Sequence, residues 1–552
     1  MTRLERLART FRTLRHLGRD QLIAQVIYGL RGIRRPVRAP GATPALSEGL
    51  TTLPFLPAPR HARWHATGEL ELIHRRADFA EEVDWRYGEE GPLWLYHLHQ
   101  FDHLRAPGLT PERRLALMLD WARRHQAGPG WDPHPTSLRI VNWGKTLLTP
   151  AAVSPTPDEQ AELHASLARQ ADTLDRNLEV RLQANHLLSN LIGLVFAGLL
   201  FRDQGADRWL ARSAELGAEL GAQFAPDGGH QERSPMYHAL LLENLLDLLN
   251  LARAREGRAP GLLVEVLEET AARGLGAFSV WRHPDGEIAL FGDSALGIAQ
   301  RPDALLEYAS SLGLAPRLPE IPGLLANTGF ARLDEGPFSL LASVAGPAPV
   351  HQPGHAHCDA LAFELSCRGE RVVCDTGVHD YLPGERRARA RATRSHATLE
   401  VGGAEQAEIW AGHRVGGRPR VELVAFDPGR SLEATCASWS TLDSLHRRSF
   451  SFRAGGLEVR DTLEGRPRPV CLVLPLAPGI EARLVHDADT GDEAHLVLPG
   501  GGRLRVALPI SANWRIEPTP YYPEFGLEEE RVSLVGEAAL FESGTWRFDL
   551  VG

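Results

Sequence analysis

The residues best suited to chemistry lie in the segment 354–359, where His355 and His357 are spaced two apart. An alternating apolar run over residues 360–365 follows directly and predicts a strand. In an extended segment, residues two apart lie on the same face, so both imidazoles can point into one pocket. One imidazole can bind a metal and the other can transfer a proton, because histidine titrates near neutral pH. The spacing therefore predicts a reactive site here.

A metal site is the first possibility, because Asp375 and His396 follow the histidine pair. Two histidines and one aspartate are a normal ligand set for zinc, with a fourth position left for water or substrate. A straight strand would leave Asp375 roughly 16 Å from His357 at about 3.3 Å per residue. The segment 355–359 must therefore curl back, or the sheet must bend, before such a site can close. The alternative is that His355 and His357 are surface histidines on a loop.

Two further polar clusters lie at predicted helix starts. Asn185 and His186 come just before the apolar run 187–201. Further along, Ser234 predicts a helix cap, which places Tyr237 in the first turn. The positive end of the helix dipole there favours a phenolate over a phenol, which suits proton abstraction. The alternative for the first cluster is a polar helix entry with a hydrogen-bonded histidine.

Arginines crowd the segment between residues 386 and 394. Guanidinium groups bind carboxylate and sulfate groups bidentately, so such a run in an acidic protein favours an anionic ligand. The alternative is a solvated loop. The arginines of this run are Arg386, Arg387, Arg389, Arg391 and Arg394.

Length and charge exclude several classes of protein. The chain has 552 residues, of which 43% are hydrophobic, so it can bury one or more large cores. A net charge of −10 disfavours nucleic acid as a partner. The five cysteines include no CxxC pair, so free thiols are the simplest interpretation.

Membrane insertion and secretion are not indicated either. The longest apolar run, residues 191–201, is too short to span a bilayer. The first forty residues carry repeated arginines without a clear signal-peptide core. We therefore expect a cytoplasmic protein, with a periplasmic location as the alternative.

The hydrophobic period changes near residue 325. From about residue 60 to 320, apolar residues recur at helical spacing, which predicts helix-on-helix packing in a bundle, toroid or solenoid. After Asn327 the period becomes two, and Gly-rich turns separate many short strands, which predicts an antiparallel sandwich. We predict a basic segment and linker over 1–60, a helical domain over 61–325 and a β-sandwich over 326–552.

Together these motifs resemble the heparinase II/III superfamily of polysaccharide lyases over about residues 90–410. The resemblance implies an incomplete (α/α) toroid followed by an antiparallel β-sandwich. Blocks at 92–98 and 131–143 resemble those of the family's exopolysaccharide-locus members. The motifs that carry the resemblance are Asn185-His186, residues 227–238, 354–361, 374–377 and 394–399.

The resemblance implies β-elimination at a uronic acid. Asn185, assisted by His186, would neutralise the uronate carboxylate, which must happen before the weakly acidic C5 proton can leave. Tyr237 and His355 would abstract that proton and protonate the leaving oxygen, and Tyr237 could do both when the two groups share a face.

The resemblance also implies a supporting Zn²⁺, held by His357, Asp375 and His396, with His379 as an alternative ligand. The implied partner is an acidic polysaccharide or oligosaccharide. Its predicted contacts are Glu232, Tyr381, Arg387, Arg389 and Arg394.

Two other functions stay open at the level of sequence. A glycoside hydrolase on a helical toroid needs two opposed acids, and Glu232 is the one obvious candidate. A non-catalytic polysaccharide-binding or assembly protein would keep the fold without activity, although the presence of Asn185, Tyr237 and His355 together argues against it.

Overall fold

A computed structural model describes residues 3–34, 36–37, 44–47, 52–255, 257–453, 455–487 and 491–551. The described chain folds as an incomplete (α/α) toroid followed by an antiparallel β-sandwich, which confirms the predicted fold class. Within those residues, no helix is both long enough and apolar enough to cross a membrane.

Several helices of the first half begin at residues that are typical helix N-caps. Thr110 accepts a hydrogen bond from the Arg113 amide at 3.2 Å, and a capping box at Thr156 begins another helix. The helices are α1 (Arg3–Leu14), α2 (Arg19–Arg31), α3 (Pro92–Gln100), α4 (Pro111–Arg124), α5 (Pro133–Leu148), α6 (Pro157–Asp175), α7 (Ala184–Leu200), α8 (Gln204–Leu210), α9 (Ser213–Gln223), α10 (Pro235–Ala254), α11 (Gly261–Trp281) and α12 (Pro302–Ser311).

Local backbone geometry shifts two of the predicted helices. The hydrophobic pattern predicts a helix over 178–201, but α7 begins only at Ala184, because Gln183 and Ala184 have φ of 57° and 49°. The pattern also predicts one helix over 207–223, where the structure has two helices, α8 and α9. Residues 1–60, predicted to form a basic segment and linker, contain the helices α1 and α2.

Short strands also occur in the helical half, where strand signals are scarce. The strands β2 (Ala62–Trp64), β3 (Glu69–Leu72) and β4 (Arg75–Asp78) form a small antiparallel sheet, which was not predicted because each strand is too short to show an alternating pattern. The strands β1 (Ala45–Leu46) and β5 (Phe201–Arg202) pair separately.

The second half consists of antiparallel sheets. One sheet has the order β10-β9-β8-β7-β6, a second β11-β18-β23-β22, and the largest β14-β15-β16-β17-β24-β21-β20-β19, while β12 pairs with β13. The strands are β6 (Leu324–Leu325), β7 (Phe330–Glu335), β8 (Phe338–Ser343), β9 (Phe363–Cys367), β10 (Glu370–Val373), β11 (Leu399–Val401), β12 (Ile409–Trp410), β13 (Arg414–Val415), β14 (Arg420–Asp427), β15 (Ser431–Ala437), β16 (Ser444–Arg453), β17 (Gly456–Gly465), β18 (Val470–Pro475), β19 (Glu481–Asp487), β20 (Gly491–Val497), β21 (Arg503–Ala507), β22 (Asn513–Tyr521), β23 (Glu529–Ala538) and β24 (Ser543–Leu550).

The two halves pack directly against each other. Helix α7 lies in the centre of the helical half, with nearly every side chain buried. Its core cluster continues into Val378 and Phe525 of the strand half. A short helix, α13 (Glu385–Arg391), lies between β10 and β11. The connections of the strand half therefore meet the helix starts along one shared cleft.

Candidate functional site

Asn185 lies buried at the first turn of α7 and is held by Glu232. Its side-chain nitrogen Nδ2 lies 2.8 and 2.9 Å from the two carboxylate oxygens of Glu232. The same nitrogen lies 3.5 Å from Nε2 of His355, a residue 170 positions away. The two motifs therefore meet, and Glu232, predicted to contact substrate, instead orients the amide.

The loop that carries Glu232 needs glycine at two positions. Gly228 has a φ of 89°, and a Cβ there would lie 2.1 Å from the Arg273 carbonyl oxygen. A Cβ on Gly229 would lie 2.2 Å from Oγ1 of Thr328. The Asp-Gly-Gly motif is therefore a packing requirement that sets the position of Glu232, rather than part of the chemistry.

His186 lies at the edge of the cleft. Its Nδ1 lies 3.1 Å from a carboxylate oxygen of Glu179, and its ring lies against that of His134, with 4.4 Å between centroids and a tilt of 32°. Burial alone would lower the pKa of His186, but the Glu179 carboxylate raises it above its usual value. The arrangement therefore favours an imidazolium facing the cleft.

Tyr237 lies in the first turn of α10, as predicted, and Ser234 caps this helix by accepting a hydrogen bond from the Tyr237 amide. The Tyr237 hydroxyl is 2.8 Å from the hydroxyl of Tyr381, and its ring lies 4.1 Å from that of His355. Burial raises the pKa of Tyr237 above its usual value, so the free protein holds a phenol. The predicted phenolate is wrong, because the loss of solvation outweighs the helix dipole.

Asp293 connects the site histidines, although it belongs to none of the sequence motifs. The carboxylate accepts hydrogen bonds from His355 Nδ1 at 2.9 Å, His357 Nε2 at 2.8 Å and Arg387 Nη2 at 2.7 Å. Burial alone would raise the pKa of Asp293, but Arg387 and the two histidines hold it well below its usual value. The ionised carboxylate keeps a proton on Nδ1 of His355, which leaves Nε2 as a free acceptor toward Asn185.

The three arginines predicted to contact substrate each have a different partner within the protein. Arg387 is 2% exposed and is bound to Asp293 and to the Gly412 carbonyl oxygen, so it cannot reach a ligand in the cleft. Arg389 pairs with Glu385 at 2.7 Å on the surface. Arg394 pairs with Glu400 at 2.9 Å. Arg387 is therefore a buried partner of Asp293, whereas Arg389 and Arg394 lie on the surface and do not line the cleft.

The cleft itself has a volume of about 260 Å³ and draws side chains from both halves of the molecule. Four predicted site residues line it together with Tyr381. Among the other cleft residues, His134 lies in the block 131–143, whereas Asp102 and His413 had no sequence signal. His413 could be found only from the fold, because it lies alone in the turn between β12 and β13. The predicted lining residues are Asn185, His186, Tyr237, His355 and Tyr381.

A second buried group lies behind the cleft. Ligand atoms of His357, Asp375 and His396 lie within 4.8 Å of one another. His396 Nδ1 is 2.8 Å from Asp375, so in the neutral ring Nε2 carries the lone pair, and that nitrogen is buried without a partner. His357 Nδ1 is buried and unpartnered in the same way, because Nε2 bonds Asp293.

These residues fit the implied zinc, since two unpartnered imidazole nitrogens and a carboxylate form a normal ligand set. Burial lowers the pKa of His357 to about 4, which keeps it in the neutral form that binds metal. The segment curls back as required: the Ala362 amide donates to the Asp359 carbonyl, and Leu361 has a φ of 60°. His379 instead bonds Asp380 at 2.8 Å.

Comparison with known proteins agrees with this geometry. The family model "Heparinase II/III N-terminus" matches residues 118–309, and "Heparinase II/III-like, C-terminal" matches residues 318–543. A solved heparinase III superposes with a TM-score of 0.66 at 18% identity, covering 85% of this chain and 79% of that one. The heparan sulfate lyase HepC of Pedobacter heparinus gives a TM-score of 0.57 at 19% identity, covering 89% and 81%.

A curated relative is more similar in sequence. "FtsZ-localized protein C" of Caulobacter vibrioides is 27% identical over 442 residues, which covers 76% of this chain and 73% of that protein. The class of protein follows from the family matches, together with the shared fold and the residues that meet in the cleft.

Proposed function

Because the chain belongs to the heparinase II/III family of polysaccharide lyases, we propose that it cleaves a uronic-acid-containing glycan by β-elimination. The observation that carries this proposal is the convergence of Asn185, Tyr237 and His355 on one cleft. The upstream blocks at 92–98 and 131–143 favour an exopolysaccharide as the substrate.

The first requirement is to neutralise the uronate carboxylate. One N–H of the Asn185 amide donates to Glu232, and the other is held only by a long 3.5 Å contact to His355. That N–H is therefore available to a substrate carboxylate. The His186 imidazolium supplies the matching positive charge, which makes the neighbouring C5 proton more acidic.

His355 suits the base. Asp293 holds the proton on Nδ1, so Nε2 faces the cleft with a free lone pair. Nε2 takes the C5 proton, the electron pair of that bond forms the C4–C5 double bond, and the bond from C4 to the glycosidic oxygen breaks. Asp293 stabilises the imidazolium that forms, since the ring then faces an ionised carboxylate.

Tyr237 suits the acid. Its raised pKa keeps the hydroxyl protonated, and Tyr381 at 2.8 Å holds that hydroxyl in the cleft. The phenol gives its proton to the departing glycosidic oxygen, which balances the reaction. The products are a new sugar end and a 4,5-unsaturated uronate.

A zinc ion at His357, Asp375 and His396 would cross-link the loops that carry these residues. His357 bonds the same carboxylate as His355, so metal binding would fix the position of the base. Its contribution is to the rigidity of the site, and no proton transfer passes through it.

The test is incubation with a panel of uronic-acid polysaccharides while ultraviolet absorbance is followed. Elimination creates a conjugated double bond and hydrolysis does not. New reducing ends without that absorbance would favour a hydrolase. The structure offers little for hydrolysis, because the cleft acids Asp102 and Glu243 both pair with Arg105.

A second candidate is a polysaccharide-binding protein without catalysis. The observation that favours it is the 27% identity to a relative whose name gives a location and no activity. Binding of uronate oligosaccharides without any increase in absorbance, across the whole panel, would support this candidate over the lyase.

A further inference from the structure

The arginine-rich first forty residues have no role in the cleft, and their charge contrasts with that of the whole chain. Residues 1–40 contain ten arginines and two acidic residues, whereas the whole chain has a net charge of −10. Positive charge is thus concentrated at one place on an acidic protein. Such a concentration points to an anionic partner.

Helix α1 presents its apolar side to solvent. Leu4, Leu7, Phe11 and Leu14 are 79%, 60%, 69% and 46% exposed. At about 100° per residue these four side chains fall within about 80° of one another on the helix. Scattered exposed leucines are ordinary, but a continuous exposed stripe marks an interaction site.

The opposite side of α1 explains this orientation. Arg12 donates to Glu408 at 2.7 Å, Arg9 lies 3.4 Å from the same carboxylate, and the Trp410 indole donates to Thr13 at 3.1 Å. The polar face is therefore bound to the β-sandwich half, which turns the apolar face outward. A helix that packed its apolar face against the protein core would instead expose its polar face to solvent.

Helix α2 extends the same kind of surface. Leu22, Val26 and Leu30, spaced four apart, are 42%, 62% and 82% exposed. Of the arginines near the two stripes, Arg6, Arg15 and Arg19 are exposed. An apolar stripe flanked by arginine is the pattern of a helix that lies in the plane of an anionic bilayer surface.

We propose that α1 and α2 bind the surface of a membrane containing anionic lipid, with the apolar stripe in the headgroup region and the flanking arginines on the phosphates. The charge of the flanks favours a lipid surface over a second copy of this chain, because a copy would bring the same arginines against each other. This inference is independent of the proposed lyase activity.

The test is co-sedimentation of the full-length protein with vesicles. We expect binding to phosphatidylcholine vesicles that contain phosphatidylglycerol, weakening as salt is raised, and little binding to phosphatidylcholine alone. The double variant Leu7→Glu/Phe11→Glu should bind at least about tenfold more weakly. The matched control Leu262→Glu/Leu318→Glu changes leucines that are 72% and 66% exposed elsewhere and should bind normally.

Circular dichroism and thermal unfolding should show that all variants are folded. A dye attached at Phe11→Cys should report an apolar environment when vesicles are added, and one at Leu262→Cys should not. The proposal is overturned if the wild type ignores anionic vesicles, or if both double variants bind equally well. Light scattering that shows a dimer lost in Leu7→Glu/Phe11→Glu, without vesicle binding, would assign the stripe to self-association instead.

Discussion

Replacing Asp293 by asparagine tests the centre of the proposed mechanism. The carboxylate is fully buried and binds Arg387, His355 and His357 together. Asparagine has nearly the same shape but no charge, and it can present an N–H where His355 now meets an acceptor. The variant therefore alters charge and tautomer with little change in volume.

Both expected effects are large. Arg387 would be left buried without its counter-charge, and removing one partner of a buried pair costs about 3–5 kcal/mol of folding stability. His355 would lose the group that fixes its tautomer and stabilises its protonated form. Turnover should then fall by about 10²–10⁴-fold.

The matched control is Asp461→Asn. Asp461 is also fully buried and binds an arginine and a histidine, with Arg448 Nε and His446 Nε2 each at 2.7 Å. Neither partner lines the cleft. Urea unfolding should show a loss of stability in both variants, while the absorbance assay should show a large loss of turnover per folded molecule in Asp293→Asn alone. Near-normal turnover of Asp293→Asn would refute the role assigned to the carboxylate.

Four further predictions follow from single contacts. Tyr237→Phe should lower turnover at least about a hundredfold with little change in substrate affinity. The control Tyr308→Phe removes a buried hydroxyl bonded to Asp247 and should leave turnover unchanged. If Tyr237→Phe turns over as fast as the wild type, Tyr237 has only a structural role. Purified protein should contain close to one zinc per chain by metal analysis, and His357→Ala should lose both metal and stability; zinc-free, well-folded wild type would contradict this. Because the pKa of His186 is raised, its pairing with Glu179 stabilises the fold below about pH 6.5, the ordinary histidine value, and this stability is lost as pH rises through the raised pKa. In urea unfolding, His186→Gln should therefore cost more stability at pH 6 than at pH 9. A cost that does not change with pH would argue against the charged pair. Arg389→Ala and Arg394→Ala should change KM less than about twofold, because exposed pairs contribute little; a large rise in KM would restore the polyanion interpretation.

Motif order and hydrophobic period were enough to predict the fold class and the family. Periods of 3.6 and two residues follow from local backbone geometry, so they are visible in any window of sequence. The helix start at Ser234 was predictable for the same reason, because a cap acts within one turn. The small sheet over residues 62–78 was not predicted, because a strand of three or four residues is too short to show an alternating hydrophobic pattern.

The arginine run shows where local information ends. Arg387 and Arg391 lie four apart on α13 and are both buried, while Arg389 between them is exposed. Their spacing could have indicated a shared face, since residues four apart lie on one side of a helix. Which side faces the protein depends on what packs against it, and that is Asp293, 94 residues earlier in the chain.

The sequence by itself determined the residue types of the site, the order of its motifs and the two kinds of secondary structure that carry them. The tertiary structure alone decided which of those residues meet. Asn185 lies beside His355 across 170 residues, and an aspartate without any motif joins both histidines to a buried arginine. The physical reason is that hydrogen bonds and charge pairs act over a few ångströms in space, whereas sequence patterns report only neighbours along the chain.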